Sequence, residues 1–451
     1  MHSTSQPPGR RTFLRGVAWG TLLAQNGLAA VAADDRGPTR VAIVGLGGMG
    51  RSHLKQLLAR QDVTVAWLCD VDSERLRAAA EEVRVAQVGT QQGGSLKSTG
   101  DLREVFADAA VEAVFIATPD HWHAPAAILA LDAGKHVYVE KPCCHNVREG
   151  QWMAEAVARS GKVLQVGTQS RSTAFVREAI ERVRAGEIGE VRVAKAWNSQ
   201  QRRNIGHADP TEPPATLDFD RWVGPATMVP YRSNLLPGAW RWWYDFGCGD
   251  IGNDGVHDID VALWGLGVDT HPQRVACLGG KYHFDDDQQF PDTQYVVCEY
   301  PAAGSPAQGN AVGTRQFIFE QRIWSPYSQE GYDNGAAFYG TKGMLILGHT
   351  RGWRLYGPRN ELIAERTGSA DLVAHHDDFF RTIREPGHAP NADVQAGLRS
   401  AVVVHLANIS ARVGRTLRFD PERLEIVGDD EAARMLQRNY RKDHWAVPGP
   451  V

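Results

Sequence analysis

Apolar runs of strand length alternate with amphipathic stretches in the first part of the chain. The run "VAIV" (41–44) is followed by a helical pattern that puts Leu54, Leu57 and Leu58 on one face. Further apolar runs are "VTVAWLC", "AVFIA" and "HVYVE". Strands that alternate with helices in this way predict a parallel sheet built from βαβ units. We therefore expect an α/β domain over residues 38–165.

After residue 166 the pattern changes to a series of strands. The strand-like segments are "EVRVAKAWNS", "QRVACLGGKY", "TQYVVCEY", "RQFIFEQRIW", "AAFYGTKGMLILG" and "GWRLYG". Gly and Pro mark the turns between them, which favours a large, open and mainly antiparallel sheet. Helices that cover one face are expected around residues 172–185, 254–266, 375–385 and 394–413. These features predict a C-terminal α+β domain over residues 166–425 and a closing strap over residues 426–451.

The opposite face of this sheet is the expected surface for self-association. A sheet this large is seldom left bare in solution. We therefore predict a homo-oligomer, a dimer or a tetramer, formed through the C-terminal sheet.

Composition narrows the class of partner. The 451 residues are 43% hydrophobic and 23% charged, enough to bury the cores of two domains. A formal net charge of -4 without a basic block argues against nucleic acid or an anionic membrane as the main partner. A small-molecule site is the better expectation. Mostly free, buried thiols are predicted for the cysteines, which form no CxxC pair: Cys69, Cys143, Cys144, Cys248, Cys277 and Cys298.

The first 33 residues have the features of an export signal. Arg10 and Arg11 precede a weakly apolar run that ends in small residues, and Ala30-Val31-Ala32 fits a cleavage site. This resembles a twin-arginine signal peptide, which predicts a periplasmic or otherwise exported protein without stable membrane insertion after cleavage. The alternative is an amphipathic or membrane-spanning helix, although the run is shorter than the roughly 20 apolar residues that a span needs.

The segment "GLGGMG" after the first strand has the spacing of a dinucleotide-binding turn. Gly45 permits the tight turn, Gly47 lets the backbone approach a pyrophosphate, and Gly50 lets helix and strand pack closely. Asp70 ends the second strand, where its carboxylate would accept both ribose hydroxyls and repel a 2′-phosphate. The sequence therefore favours NAD over NADP. A solvated acid at the strand end is the alternative for Asp70.

Five motifs in order, "GLGGMG", "CDVD", "ATPDHWH", "AGKHVYVEKP" and "GVHDID", resemble the glucose–fructose oxidoreductase, inositol dehydrogenase and rhizopine catabolism (Gfo/Idh/MocA) family of NAD(P)-dependent sugar oxidoreductases. The resemblance spans essentially the whole chain after the signal. It implies an N-terminal Rossmann dinucleotide-binding domain and a C-terminal α+β domain with a large open, mainly antiparallel sheet.

The resemblance also implies roles for individual residues. Lys141 would lie beside the nicotinamide and the substrate hydroxyl, pass a proton as hydride moves, and precede a cis peptide bond to Pro142. The expected cofactor-binding residues are Gly45, Gly47, Gly48, Met49, Gly50, Asp70, Thr118, Pro119, His123, Glu140, Lys141, Gln169 and Arg171. No metal site is expected: His121 is interpreted as a solvated loop residue, and His375-His376-Asp377 as helix capping.

The stretch "GDIGNDGVHDID" (249–260) carries a candidate proton carrier, His257. At 100° per residue, Asn253 and His257 share a helix face. Family members commonly place an Asp one turn before this His, so Asn253 is a departure from the pattern. We expect Asn253 to orient the imidazole without raising its pKa, which leaves His257 a weaker base near its reference pKa of about 6.5. Asp254 is expected to compensate from the flank and to contact the substrate.

Between the first of the C-terminal strands and the stretch that carries His257 lies a segment rich in tryptophan, "RWVGPATMVPYRSNLLPGAWRWWYDFGCGD". Sugars present apolar C–H faces, which suit an aromatic wall; an aromatic plug over the domain junction is the alternative. The expected substrate-binding residues are Tyr231, Trp240, Trp243, Asp254 and His257.

The resulting prediction is an exported NAD-dependent oxidoreductase that transfers hydride between a sugar or sugar-derivative carbon and a tightly held nicotinamide. Export favours tight retention, because the periplasm offers no free NAD pool. Lys141, His257 and Asn253 are the predicted catalytic residues. Two alternatives stay open. One is a redox-assisted glycoside lyase or hydrolase that forms a transient keto sugar on bound NAD. The other is a non-catalytic carbohydrate-binding protein in which NAD is structural.

Overall fold

The first half of the chain folds into a parallel sheet with helices on both faces. This computed structural model describes residues 37–86, 96–301 and 313–449; the proposed signal peptide lies outside the described residues. Six strands form the sheet: β1 (Thr39–Val44), β2 (Val63–Cys69), β3 (Lys97–Thr99), β4 (Ala113–Ile116), β5 (His136–Val139) and β6 (Leu164–Val166). They are parallel and ordered β3-β2-β1-β4-β5-β6. This is the strand order of a Rossmann fold, which confirms the prediction.

Short apolar strands form the centre of this sheet because helices cover them on both sides. β4 is buried along its whole length and β1 almost so. The helices of this half are α1 (Gly48–Leu58), α2 (Ser73–Ala86), α3 (Leu102–Ala107), α4 (Asp120–Asp132), α5 (Val147–Ser160) and α6 (Ala174–Arg184).

The second half forms a ten-stranded sheet. Its strands are β7 (Val191–Asn198), β8 (Arg274–Gly280), β9 (Thr293–Tyr300), β10 (Arg315–Arg322), β11 (Asn334–Gly340), β12 (Met344–Gly348), β13 (Gly352–Tyr356), β14 (Leu362–Thr367), β15 (Leu417–Asp420) and β16 (Glu425–Ile426). The order is β14-β13-β12-β11-β7-β10-β9-β8-β15-β16, and only β7 and β10 pair in parallel. The predicted open, mainly antiparallel sheet is confirmed, and three strands that the pattern did not predict (β14, β15 and β16) extend its ends.

Five helices complete the described part of the chain: α7 (Phe219–Val223), α8 (Val256–Leu266), α9 (Leu372–Arg384), α10 (Val394–Val413) and α11 (Asp430–Arg434). α8 packs between the second sheet and α10. Gly265 allows this close packing, because a β-carbon there would overlap the Phe338 ring. A continuous core runs from the first sheet to the inner face of the second.

A π-helical turn, Ile251–Gly255, leads directly into α8. The prediction of a helix here is correct, but a regular α-helix was assumed from residue 249. A π turn adds a residue per turn and so rotates the side chains before it relative to those after it. The regular 100° spacing therefore does not apply to Asn253.

All six cysteines are unpaired; five are buried and Cys277 is partly exposed. Within the described residues, no helix is both long enough and apolar enough to cross a lipid bilayer. The C-terminal tail (residues 436–449) runs across the first half, where the Arg438 guanidinium and the Tyr440 hydroxyl both contact the buried Glu149 carboxylate.

Candidate active site

A cavity of about 630 Å³ opens at the carboxyl ends of the strands of the first sheet. This edge, where the strand order reverses between β1 and β4, is where open parallel sheets bind ligands. The cavity is lined by the glycine-rich turn, by the ends of β2, β4 and β5, and by the segment 236–241 together with Asn253.

The glycine-rich turn has the geometry that a dinucleotide requires. Gly45 has a φ of +90°, and a β-carbon there would lie 2.6 Å from the Ala117 carbonyl oxygen. At Gly50 a β-carbon would overlap the Gly45 carbonyl oxygen, so this glycine lets α1 pack on β1. A β-carbon at Gly48 would meet only open space. The start of α1 therefore faces the cavity with free backbone N–H groups, a suitable cradle for a pyrophosphate.

Asp70 lies at the end of β2 and lines the cavity. Its carboxylate accepts hydrogen bonds from the backbone N–H groups of Leu46 (2.6 Å) and Asp72 (2.8 Å). Burial raises the pKa of this carboxyl, and these two hydrogen bonds oppose that effect. Asp70 is therefore a fixed acceptor on the cavity wall, where ribose hydroxyls would reach it, and not a freely solvated acid.

Lys141 lies on the cavity wall beside the π turn. Its ammonium donates a hydrogen bond of 2.6 Å to the main-chain oxygen of Asn253, and its peptide bond to Pro142 is cis, as expected. Glu140 lines the same wall and lies 3.1 Å from the His53 Nε2. Burial alone would raise the pKa of Glu140, but the contact with His53 and nearby positive charge hold the pKa below its usual value.

The residues that follow β4 are fixed by backbone contacts. Thr118, Pro119 and His123 line the cavity, and the two ring nitrogens of His123 lie 2.7 Å from the Pro142 carbonyl oxygen and 2.9 Å from that of Thr118. His121 was expected to be a solvated loop residue, and this is wrong. It is fully buried in α4, and burial lowers its pKa to about 3.

His257 and His349 form a pair of imidazoles beside Lys141. Their ring centroids are 5.2 Å apart. Burial, together with the positive charges of Lys141 and His349, holds the pKa of His257 well below its usual value. For His349, burial alone would lower the pKa, but the Asp258 carboxylate 3.0 Å away raises it to about 9. His257 is therefore a neutral imidazole beside a protonated one.

Among the described residues, the Asn253 side chain makes no hydrogen bond to the His257 imidazole, so its predicted role in orienting that ring is wrong. Its side-chain oxygen accepts a hydrogen bond of 2.7 Å from the Arg241 Nε, and its amide nitrogen donates one of 3.0 Å to Asp250. These two hydrogen bonds occupy both the oxygen and the nitrogen of the Asn253 side-chain amide. Asn253 instead joins Arg241 to Asp250.

Asp254 does not line the cavity. Its carboxylate accepts a hydrogen bond of 3.3 Å from Asn334 and lies 3.6 Å from the Arg202 guanidinium. Arg202 also contacts the fully buried Asp250 carboxylate at 3.0 Å. The expected substrate contact of Asp254 is therefore not seen, because its carboxylate faces Arg202, which follows β7, and Asn334 at the start of β11.

Three residues expected at the cofactor have other positions. Arg171 makes a buried two-point ion pair with Asp260, with distances of 2.7 and 2.9 Å, and lies outside the cavity. Gln169 lies behind the cavity wall, where its amide nitrogen is 3.2 Å from Glu140. Gly50 packs against Gly45 and does not line the cavity. Gly50 thus keeps the packing role that its motif predicts, against the cavity residue Gly45, and Gln169 contacts the cavity residue Glu140.

The tryptophan-rich segment is mainly an aromatic plug. Trp240 lines the cavity, but Trp243 packs with the apolar cluster around Trp222 and Phe246, and the Tyr231 ring packs edge-on against Phe219. Of the aromatic residues proposed to hold the substrate, only Trp240 therefore faces the cavity.

A segment of the second half, residues 216–226, closes one end of the cavity; we call it the clasp. Its main chain pairs with residues 71–73 after β2, and the Trp222 carbonyl oxygen accepts a hydrogen bond of 3.0 Å from the Trp122 indole. The C-terminal tail lies against it, because the Arg441 backbone N–H donates to Pro225 at 2.9 Å. Trp445 of the tail also lines the cavity.

The described residues contain no group of three or more His, Cys, Asp or Glu side chains arranged to hold a metal ion. His375 and His376 lie in the buried interior of α9, which is capped by the Asp371 carboxylate. The interpretation of His375-His376-Asp377 as helix capping is therefore wrong. His376 instead contacts His53 at 2.9 Å, and so extends the Glu140–His53 contact into the core.

Sequence reasoning missed several residues of this site: Arg202, Arg241, His349, Trp222 and Trp445. Arg241 lies in the quoted tryptophan-rich segment, where an isolated arginine among aromatic residues was a usable signal. His349 follows β12 far along the chain, and no local motif marks it.

Most of the chain matches the models of one protein family. Residues 39–168 match a model described as an oxidoreductase family with an NAD-binding Rossmann fold, and residues 193–298 and 359–447 match the C-terminal alpha/beta domain of the same family. The scyllo-inositol 2-dehydrogenase (NAD(+)) of Bacillus subtilis is 27% identical over 69% of this chain and 74% of its own length. Myo-inositol 2-dehydrogenase of Thermotoga maritima is 28% identical over 69% of this chain and 76% of its own.

The fold also matches solved structures. The aldose-aldose oxidoreductase of Caulobacter crescentus superposes with a TM-score of 0.62 at 18% identity, over 85% of this chain and 100% of that one.

Proposed function

Because this chain belongs to the Gfo/Idh/MocA family of oxidoreductases, with its NAD-binding Rossmann domain, we propose that it is an exported dehydrogenase acting on a sugar or sugar derivative with tightly held NAD. One observation supports this most directly. The glycine-rich turn, Asp70 and Lys141 open into the same cavity, and Lys141 contacts the turn that carries the helix of His257. The two dehydrogenase relatives named above act on inositols, which are polyols like sugars.

The chain's own residues fit NAD. The N-terminus of α1 provides N–H groups for a pyrophosphate, and the Asp70 carboxylate keeps acceptor capacity for ribose hydroxyls. Bound NAD supplies hydride acceptance and donation at its nicotinamide ring. Lys141, Thr118 and Pro119 line the part of the cavity where the substrate carbon would face that ring.

Lys141 is the proposed proton carrier. Its Nζ is anchored by one hydrogen bond to a carbonyl oxygen, which leaves its other hydrogen positions directed at the cavity. In the reduction direction the Lys141 ammonium gives a proton to the carbonyl oxygen that receives hydride at its carbon, and in the oxidation direction the neutral amine takes the proton of the alcohol.

His257 does not line the cavity, so it is proposed as a neutral neighbour of Lys141 and not as a direct contact of the substrate. Its low pKa and the positive charge on His349 keep it unprotonated at neutral pH, and its Nδ1 is buried without a hydrogen-bond partner in the described residues. His257 therefore adds no positive charge beside Lys141 and is itself a weak base.

Tight retention of NAD is supported by the cover over the cavity. The clasp and the C-terminal tail both come from the second half and both contribute cavity-lining side chains, Arg221, Trp222 and Trp445. Release of a dinucleotide would require these backbone-paired segments to move. A retained cofactor suits a protein exported after folding.

The test is to purify the folded protein without added NAD, quantify the dinucleotide released by acid, and follow NADH absorbance after adding candidate sugars. NADH that accumulates supports net oxidation. Sugar turnover without net redox change would instead support a redox-assisted lyase or hydrolase. Saturable sugar binding without chemistry would support a non-catalytic carbohydrate-binding protein.

The variant that isolates the chemistry is Lys141→Met. We expect it to keep its NAD content, because the lysine does not touch the glycine-rich turn, and to lose hydride exchange by at least about 100-fold. Lys162→Met, a lysine outside the cavity, is the matched control. Exchange that is unchanged in the Lys141 variant would refute the assigned role.

Export is tested separately with the full chain. We expect replacement of Arg10 and Arg11 by lysine to keep the protein in the cytoplasm, as measured by cell fractionation. A protein that still reaches the periplasm would contradict the twin-arginine assignment.

A further inference from the structure

The Arg241 side chain is held rigidly on the cavity wall. It lies in the one-turn helix Ala239–Trp242, with its guanidinium 4.2 Å from the centroid of the Trp240 ring. Its Nε donates to the Asn253 side-chain oxygen at 2.7 Å, and one terminal nitrogen, Nη1, donates to the Gly238 carbonyl oxygen at 3.0 Å. A guanidinium so fixed loses little conformational entropy when it binds a further group.

Arg241 is also a cation without a carboxylate partner. Among the described residues it forms no ion pair, and its second terminal nitrogen, Nη2, has no hydrogen-bond acceptor. Two other arginines of the second half are paired: the partly exposed Arg202 with Asp250 and Asp254, and the buried Arg171 with Asp260. Burial lowers the pKa of Arg241, and the Asp120 and Asp250 carboxylates, which lie too far away to form an ion pair with it, only partly oppose this.

Arg241 and Lys141 are neighbours, because Asn253 binds both. Its side-chain oxygen accepts from Arg241, and its main-chain oxygen accepts from Lys141. Both side chains line the cavity. An aspartate at position 253 would neutralise Arg241, whereas the uncharged amide of Asn253 holds the guanidinium in place and leaves its charge available.

We propose that the substrate carries a carboxylate, as a uronate or a related sugar acid does, and that the Arg241 guanidinium binds it beside Lys141. This inference rests on the proposed function, since it names the substrate class of the same site. A guanidinium binds a carboxylate through two parallel hydrogen bonds, which fixes the orientation of the sugar as well as its position. The free Nη2 and the remaining hydrogen of Nη1 provide the donors. The carbon to be oxidised would then lie near Lys141.

The experiment compares acidic and neutral sugars of the same stereochemistry on the NADH-loaded protein, using calorimetry, so that binding is measured without turnover. The pairs are D-glucuronate with D-glucose, D-galacturonate with D-galactose, and D-mannuronate with D-mannose. We expect at least one uronate to bind about 10- to 100-fold more tightly than its neutral partner. If no uronate is preferred, the proposal is wrong.

Variants then assign the preference to Arg241. Arg241→Gln should abolish the preference for the uronate. Arg241→Lys should retain only part of this preference, because an ammonium cannot form the two parallel hydrogen bonds of a guanidinium. Asn253→Asp should reduce the preference, because its carboxylate would pair with Arg241 inside the protein. Arg423→Gln, which removes an exposed arginine outside the cavity, is the charge-matched control and should change nothing. NAD content and melting temperature are measured for each variant. A preference that survives in Arg241→Gln would overturn the proposal, and if that variant does not fold, the wild-type comparison still decides.

The two failures are distinguishable. If the proposed function is wrong, the protein lacks NAD or exchanges no hydride with any sugar. If only this inference is wrong, the protein exchanges hydride but binds neutral sugars as well as it binds their uronates.

Discussion

His257 and His349 show how neighbouring buried imidazoles reach opposite charge states. Burial lowers the pKa of both rings, but only His349 has a carboxylate, Asp258, within hydrogen-bond distance. The Nδ1 of His257 has no partner in the described part of the chain. A positive charge on one ring further disfavours a positive charge on the other, so the pair of imidazoles carries a single positive charge near neutral pH.

This pairing predicts a specific pH dependence of stability. The folded pKa of His349, about 9, lies above the roughly 6.5 of an unfolded histidine. Its contribution is therefore complete below pH 6.5 and lost as the pH rises through about 9. We expect His349→Gln to lower the free energy of unfolding by up to about 3 kcal/mol at pH 6 and by much less at pH 9.5. Urea unfolding across this range measures it.

Asp258→Asn serves as the partner variant, since it removes the charge that raises the His349 pKa. It should flatten the pH dependence in the same way. A difference between wild type and His349→Gln that stays constant from pH 6 to 9.5 would contradict the assignment.

At single positions, the sequence predicts which residues line the cavity where a residue type belongs to a local motif, while their roles toward a cofactor stay predictions. Gly45, Asp70 and Lys141 each follow directly after a strand of the first sheet, so the strand pattern alone places them at one edge. It failed for Asn253 and Arg171, whose roles depend on partners that local spacing does not reveal: Arg241 for the first and Asp260 for the second.

At the level of elements, the packing of α1 on β1 depends on one glycine. A β-carbon at Gly50 would overlap the Gly45 carbonyl oxygen, whereas one at Gly48 in the same helix would meet nothing. We expect Gly50→Ala to lower the free energy of unfolding by at least about 2 kcal/mol and to weaken NAD binding, because α1 must move away from the turn. Gly48→Ala should fold with wild-type stability or better, since alanine favours helix. Equal stability of the two variants, measured by urea unfolding, would refute this account.

The clasp gives a second prediction for an element. Gly224 in the clasp has a φ of +56°, and a β-carbon there would overlap the Trp122 ring of α4. Gly224→Ala should therefore displace the clasp and accelerate NAD release by about 10-fold or more, because the clasp can no longer pack against Trp122 at the end of the cavity. Stopped-flow fluorescence after mixing with a competing dinucleotide measures the rate.

Gly206→Ala is the matched control for that variant. Gly206 also has a positive φ, +67°, but a β-carbon there would meet nothing within 4 Å. It carries the backbone strain without the clash, and NAD release should stay at the wild-type rate. If both variants release NAD equally fast, general backbone strain and not the clasp would be responsible.

The element pattern shows where sequence prediction stops. The six parallel strands follow from short buried apolar runs, and α8 and α10 from long apolar stretches. The π turn before α8 does not follow from hydrophobic spacing, because the residues of that turn are mostly small or polar. β15 and β16 are too short and too mixed in polarity to be separated from loops: β15 adds to the edge of β8, and β16 adds to β15.

For the whole molecule, the two halves share one core, and the cavity takes its walls from both. The first half provides the glycine-rich turn and Lys141. The second provides Arg241, Asn253 and the clasp. Strand patterns predicted each half separately, but the aromatic residues between them fitted either a sugar wall or a plug. Only the assembled structure decides this, since Trp222 and Phe246 pack against α4 in the first half.

The outer face of the second sheet yields the last prediction. Leu278 on β8 pairs with Tyr295 on β9, and both side chains point away from the core with 74% and 43% of their surface exposed; Val297 beside them is 38% exposed. Adjacent apolar side chains on an open sheet are costly in water unless another surface covers them. We propose that a second copy of the chain covers this face.

The double variant Leu278→Glu/Tyr295→Glu should then shift the protein from a dimer or tetramer to a monomer, as measured by light scattering, because like charges would meet across the interface. Val85→Glu, which places a charge at an exposed apolar position on α2, should keep the wild-type mass. A monomeric wild-type protein, or a double variant of unchanged mass, would exclude this face as the interface, and NAD content measured in parallel would show that the variant had kept its fold.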